Sequence, residues 1–237
     1  MPRNKQSGLD KLLNAGQHIP SSLRIVELNA SKAVLQGDYK INAQMKGKEL
    51  ITDSLRLRIE IDENFPEILP KVIDIGGRIP KSQDHHTYDD GSFCLGGDIV
   101  LKARISDDPT IGNFLYKCVD PFLYSVLYNL EHKEFPYGDL EHGESGLIAC
   151  YELFFNVKGK KAVLETLRLL GKKKREANKL LCPCRCGLRV GRCKIHHKLN
   201  SLRKIASRRW YMNHLVTYFT PVISEPRIQP VKKHKKV

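Results

Sequence analysis

The chain has one Trp and three Met, and no stretch of it approaches the roughly 20 apolar residues that a membrane span needs. A membrane-spanning helix is therefore not expected. Residues 1–10 are polar and lead into no apolar segment with a cleavage site, so the expected location is the cytoplasm. Also missing is a Gly-rich nucleotide-binding signature between a strand and a helix, so any ATP-dependent step would belong to another polypeptide. Acidic residues are scarce at one end only. Residues 172–237 hold 19 Lys plus Arg against 2 acidic residues, whereas the rest of the chain holds 21 and 24, so the net charge of +14 is carried by the last quarter.

What is present suffices for a folded core. In 237 residues, 41% hydrophobic content excludes global disorder and a miniprotein held only by disulfides. The seven cysteines divide as the charge does: Cys94, Cys118 and Cys150 are widely spaced, while Cys182, Cys184, Cys186 and Cys193 crowd into a dozen residues. In a cytoplasmic chain such a cluster reads as a metal site before it reads as disulfides.

After a short amphipathic pattern at residues 9–15, residues 33–75 read as consecutive strands. Ala33-Val34-Leu35 passes through Gly37 and Asp38 into Tyr39-Lys40-Ile41, and a Gly-containing turn occupies residues 44–49. Leu55-Arg56-Leu57-Arg58-Ile59-Glu60-Ile61 then alternates without a break, which predicts one buried and one wet face. Phe65-Pro66-Glu67-Ile68-Leu69-Pro70-Lys71-Val72 carries two prolines and predicts a structured crossover rather than a central strand. Residues 81–101 read as a loop around one cysteine, and helical patterns follow at 111–130, 146–155, 160–170 and 198–219. Sheet first and helices afterwards predicts an α+β fold. The expected units are residues 1–158 and a basic helical extension, 159–237, with a Cys/His motif at 182–197 and a disordered Lys-rich tail.

Within the loop, His85-His86-Thr87-Tyr88-Asp89-Asp90-Gly91-Ser92-Phe93-Cys94-Leu95-Gly96 sets one thiol among imidazoles and glycines. A thiolate is a strong nucleophile, a glycine-rich loop admits a bulky substrate, and a nearby imidazole can move a proton. A structural cysteine in a polar loop is the plain alternative. The proline-rich run at 65–72 and the segment Asp90-Gly91-Ser92-Phe93-Cys94-Leu95 resemble the crossover and active-site segment of ubiquitin-conjugating (UBC-fold) enzymes. The resemblance covers residues 23–130 and matches the order of elements.

The resemblance implies that Cys94 accepts the carboxy terminus of a ubiquitin-like protein as a thioester, delivered by a separate ATP-dependent activating enzyme, and passes it to a target amine. Where eukaryotic members carry His-Pro-Asn, this chain has Asp84-His85-His86, so His86 stands at the Asn position. That departure is similar to the bacterial branch of the family, which serves in antiphage defence operons, in some cases beside cyclic-oligonucleotide synthases that are candidate targets. The resemblance further implies that Asp139 orients or deprotonates the incoming amine, with His142 as a second candidate base. The bland readings, a loop-stabilising His86 and solvated Asp139 and His142, stay open. Two other classes are carried beside the enzyme. One is a non-catalytic UBC-fold module that binds a ubiquitin-like or nucleic-acid partner. The other is a cysteine hydrolase using Cys94 with His86 or His142.

In the extension, Cys182-Pro183-Cys184-Arg185-Cys186-Gly187 and Arg192-Cys193-Lys194-Ile195-His196-His197 bring thiols and imidazoles into a hairpin-sized segment, and four such ligands suit structural zinc. The spacing resembles the zinc-binding SEC-C motif at Cys182, Cys184 and Cys193. The fourth ligand is expected to be His196, with His197 and Cys186 as competitors. The surrounding lysines would attract polyanions, nucleic acid above all, or would simply keep the tail soluble. Trp210, Tyr211 and Phe219 could stack on bases, but their helical spacing is that of core residues.

Overall fold

The computed structural model describes Leu9, residues 19–136 and residues 143–219. Four strands form an antiparallel meander in the order β1-β2-β3-β4: β1 Leu23–Leu28, β2 Lys32–Gln44, β3 Leu50–Asp62 and β4 Lys71–Asp74. The alternation in β3 is the cause of its placement. Leu55, Leu57, Ile59 and Ile61 are buried on one face, while Arg58 and Glu60 pair on the other at 2.9 Å. Surface pairs of this kind contribute little, so the apolar face fixes the register.

β2 runs through Gly37 without breaking, pairing with β3 from Lys32 to Gln44. Gly37 is needed there because a Cβ would overlap the Ser22 carbonyl oxygen. After the crossover and β4, α1 spans Asp98–Ile105, a helix that begins inside the stretch 81–101 that sequence alone reads as loop. The pattern at 111–130 becomes a composite: α2 Ile111–Phe114, a π turn at Leu115–Val119, and α3 Asp120–His132. Pro121 explains the irregularity, because it has no N–H for the Lys117 carbonyl, which accepts from the Arg104 guanidinium at 3.4 Å instead. α3 is bound to the sheet: the Tyr39 hydroxyl donates to Asp120 at 2.6 Å and the Tyr124 hydroxyl to the Glu49 carbonyl at 2.8 Å. Sheet, α1, α2 and α3 enclose the first core, centred on Leu57, Ile59, Phe114 and Leu123.

A second core lies among α4 Gly143–Phe155, α5 Lys160–Gly171, α7 Ile195–Ile205 and α8 Arg208–Phe219, with the short α6 Lys174–Ala177 between α5 and the cysteine cluster. Ile99 of α1 belongs to this second core, so α1 faces both. α5 buries Val163, Leu167 and Leu170 at helical spacing, and Arg203 of α7 closes its carboxy end by donating to the carbonyls of Leu169 and Leu170 at 2.7 and 2.8 Å. The expected helix at 198–219 is two helices. Ala206 is extended and Ser207 caps α8, its hydroxyl accepting from Trp210 N at 3.0 Å, so the serine supplies the break. Tyr211 is fully buried, and Trp210 and Phe219 pack against the same core. The fold is thus mixed α+β with a four-stranded antiparallel sheet, and no helix among the described residues is long and apolar enough to cross a membrane.

Candidate functional site

Cys94 sits on a tied-down hairpin. A 3-10 turn at Gln83–His85 ends at His86, whose left-handed backbone (φ 50°) reverses the chain, and the His86 carbonyl accepts from Cys94 N at 2.8 Å. Thr87 is buried beside them, its hydroxyl accepting from Ser82 N at 2.7 Å and reaching the Pro80 and Ser82 carbonyls at 3.0 Å. At the tip, Gly91 N closes a turn on the Tyr88 carbonyl at 2.8 Å, with Gly91 at φ 82°. Asp90 holds the returning arm by accepting from Ser92 N and Oγ, and the Lys71 ammonium at 2.5 Å, followed by the Ser92 bonds, holds its carboxyl well below the usual range. Phe93 N then donates to Val72 O at 2.8 Å, joining the arm to β4.

His86 and Cys94 are therefore brought together through the backbone, while the His86 ring meets Phe135 edge-on at 5.1 Å. Asp139 and His142 lie outside the described residues.

Two groups near the thiol carry no sequence signal of their own. Tyr88 lines the cleft with Cys94, and burial of its phenol end, then the nearby thiol, push its pKa up although 57% of the residue is exposed. Asp98, the first residue of α1, shares the same cleft, and burial raises its carboxyl's pKa against the opposing charge of Lys102.

The cleft, about 950 Å³, runs between the crossover, the cysteine hairpin and α8, whose Arg209, Trp210, His214 and Tyr218 form the far wall. The extension thus supplies one side of the space in front of Cys94. His214 is 6% exposed, stacked on Trp210 at 4.5 Å and tilted against Tyr218 at 4.4 Å, and neither its Nε2 nor the Tyr151 hydroxyl beneath it has a hydrogen-bond partner among the described residues. Burial depresses the His214 pKa from 6.5 to about 4. Because the unfolded chain protonates first, this group's contribution is complete above pH 6.5 and is lost as pH falls toward 4, by roughly 2–3 kcal/mol. Urea midpoints at pH 7 and 4.5 should fall further for the wild type than for His214→Phe. Parallel falls would refute this account of His214.

The cysteine cluster is built by a second hairpin. Cys182 N donates to Leu188 O and Val190 N to Leu180 O, each at 2.9 Å, and the turn between them uses Arg185 and Gly187 at φ 61° and 76°. This turn brings Cys186 back to the others. The ligand atoms of Cys182, Cys184, Cys186 and Cys193 all lie within 4.8 Å of one another, with Sγ separations of 2.9 Å for Cys182–Cys184, 3.3 Å for Cys182–Cys193 and 3.5 Å for Cys186–Cys193. Four sulfurs around one metal at about 2.3 Å would stand about 3.8 Å apart, so the set fits a single metal ion with little movement. The expected His196 is not in this group, and Cys186 takes the fourth place because the turn reverses the chain.

Searches against family models, curated proteins and solved structures return no match.

Proposed function

We propose that the chain is a ubiquitin-conjugating-like acyltransferase, in which Cys94 carries the carboxy terminus of a ubiquitin-like protein as a thioester and gives it to a target amine. The observation that carries this reading is the position of Cys94: a thiol on a hairpin fixed to β4, opening on a cleft large enough for a chain terminus. An antiparallel meander and a proline crossover precede it, in the order that the family resemblance requires.

In loading, the Cys94 thiolate attacks the donor thioester, a C–S bond to Cys94 forms, and the carrier's thiolate leaves. In transfer, the amine forms a C–N bond and the Cys94 sulfur departs. Sulfur suits both steps, being a good nucleophile and a good leaving group. The four-cysteine cluster is read as structural zinc, since four protein thiolates leave no open position for chemistry. The donor, its activating enzyme, a cyclic-oligonucleotide synthase as target, the defence setting and nucleic acid as a partner of the basic tail rest on resemblance and charge.

The test incubates wild type and Cys94→Ala with ATP, the activating enzyme and the ubiquitin-like protein from neighbouring genes, followed by non-reducing gels and intact mass. A thiol-sensitive adduct on wild type alone is expected. No adduct with active partners would move the reading to a binding module.

A further inference from the structure

A second cleft, about 540 Å³, lies between α5 and the Cys182 hairpin and shares no lining residue with the cleft of Cys94. Lys161 and Arg168 of α5 and Lys172 just past its end follow at spacings of seven and four residues, a row roughly 16 Å long on one helix face, and Arg185 joins them from the hairpin turn. No ion pair or hydrogen bond from a described residue reaches any of these four side chains. Glu165, the one acid of the lining, is half-buried one turn from Lys161 and from Arg168, and it is likewise unpaired among the described residues. The apolar part of the lining includes Leu180 and Leu181, 42% and 73% exposed. The backbone that carries these groups is fixed, since Leu180 O accepts from Val190 N at 2.9 Å and Lys172 O from the Arg203 guanidinium at 3.0 Å.

Four unpaired cations attract phosphates, exposed leucines favour an apolar face, and a half-buried carboxylate without a donor favours an N–H group. A single strand of nucleic acid brings all three, because its unstacked bases offer both a face and a hydrogen-bonding edge. Resting on the reading of the basic extension as a site for nucleic acid, and independent of the thioester reading, we infer that this cleft binds single-stranded nucleic acid. One base with an exocyclic amine donates to Glu165 and lies against Leu180 and Leu181, while the flanking phosphates meet Lys161, Arg168, Lys172 and Arg185.

Other polyanions use the lining less well. A duplex keeps its base faces stacked, so it meets the cations and leaves the leucines in water. An acidic peptide answers the cations and the leucines but sets its own carboxylates beside Glu165. No aromatic ring lines the cleft, so the base is held by aliphatic contact and by its edge, and the edge makes the site selective among bases.

The experiment is fluorescence anisotropy on the full chain, with labelled oligodeoxynucleotides of about eight cytosines or eight thymines and a mixed-sequence duplex, between roughly 50 and 200 mM salt. Cytosine carries an exocyclic amine and thymine does not, so wild type should bind the cytosine strand about tenfold more tightly. Glu165→Ala should bring the two strands level, and Leu181→Ser should weaken both about fivefold. Neither substitution should change duplex binding, which serves as the check on folding. Arg168→Gln should weaken every strand and reduce the slope of log affinity against log salt for the single strands by about 0.7. Equal binding of the two strands by wild type, or a preference that survives Glu165→Ala, would overturn the base site and leave the extension a binder of polyanions by charge alone. No binding of any strand even at the lowest salt would overturn the nucleic-acid reading, and the base site with it. Tighter binding of a peptide of alternating Glu and Leu than of the cytosine strand would give the cleft to a protein partner and overturn the inference.

Discussion

Chelating metal held by the Cys182–Cys184–Cys186–Cys193 cluster, or replacing Cys182 and Cys193 by serine, is expected to lower the thermal midpoint by roughly 10–30 °C. The hairpin that carries these cysteines buries little else: Val190 is enclosed, but Leu181 is 73% exposed and Leu188 nearly half exposed. Burial cannot hold so short a segment, and in zinc-finger peptides the metal supplies about 10–16 kcal/mol of apparent folding free energy. Here the segment is also anchored at its ends, by Val190 N on Leu180 O and Gly191 N on Asn178 O, so about half of that range is a reasonable loss. At roughly 2–4 °C per kcal/mol for a chain of this size, that gives the stated shift. α7 begins at Ile195 and leads into α8, the far wall of the Cys94 cleft, so the proposed transfer activity should fall when the cluster is stripped. Calorimetry with metal content measured on the same samples checks this. An unchanged midpoint in protein shown to have lost its metal would contradict the structural role.

Lys102→Met is expected to cost about 2 kcal/mol, seen as a lower urea midpoint. Lys102 is only 3% exposed, and its ammonium donates to the Pro66 carbonyl and to the Glu67 carbonyl at 2.9 Å while lying 5.5 Å from the centre of the Trp210 ring. One side chain thereby joins α1 to the crossover and to α8. Removing it leaves two carbonyls without their donor, at about 1–3 kcal/mol each. Two effects offset part of this. Burial already lowers the Lys102 pKa against the opposing charges of Glu67 and Asp98, so a neutral apolar replacement escapes that desolvation cost. Pro66 is also exposed, so its carbonyl can regain water. The unpaired carbonyls win by the smaller margin stated, and a midpoint unchanged within error would mean that Lys102 joins nothing.

The sheet was the most legible part of the sequence, because period two in residues 55–61 leaves only one face to bury. The reason for Gly37 was not legible: its missing side chain makes room for the backbone at Ser22 while β2 continues. α1 was hidden because Gly96 and Gly97 precede it and because Lys102 occupies a buried helical position that periodicity assigns to an apolar residue. The break between α7 and α8 was available in Ser207, whose capping bond to Trp210 N follows a familiar spacing. Three of the four clustered cysteines follow from their spacing. The fourth, Cys186, depends on left-handed residues at Arg185 and Gly187 that turn the chain back, which spacing alone does not encode. At the cleft, Cys94 was marked by its neighbours in sequence. The arrival of Tyr218 and His214 from the far end of the chain is a product of tertiary packing, to which no local pattern points.

The most direct test of the account is the chemistry of the bond at residue 94. With activated ubiquitin-like donor, wild type should give an adduct that thiols release, and Cys94→Ser an adduct of the same added mass that resists thiols, yields to mild alkali and maps by peptide mass to residue 94. An adduct mapping to any other residue, or none on either protein with a donor shown to be activated, would contradict the assignment of Cys94 as the acyl carrier.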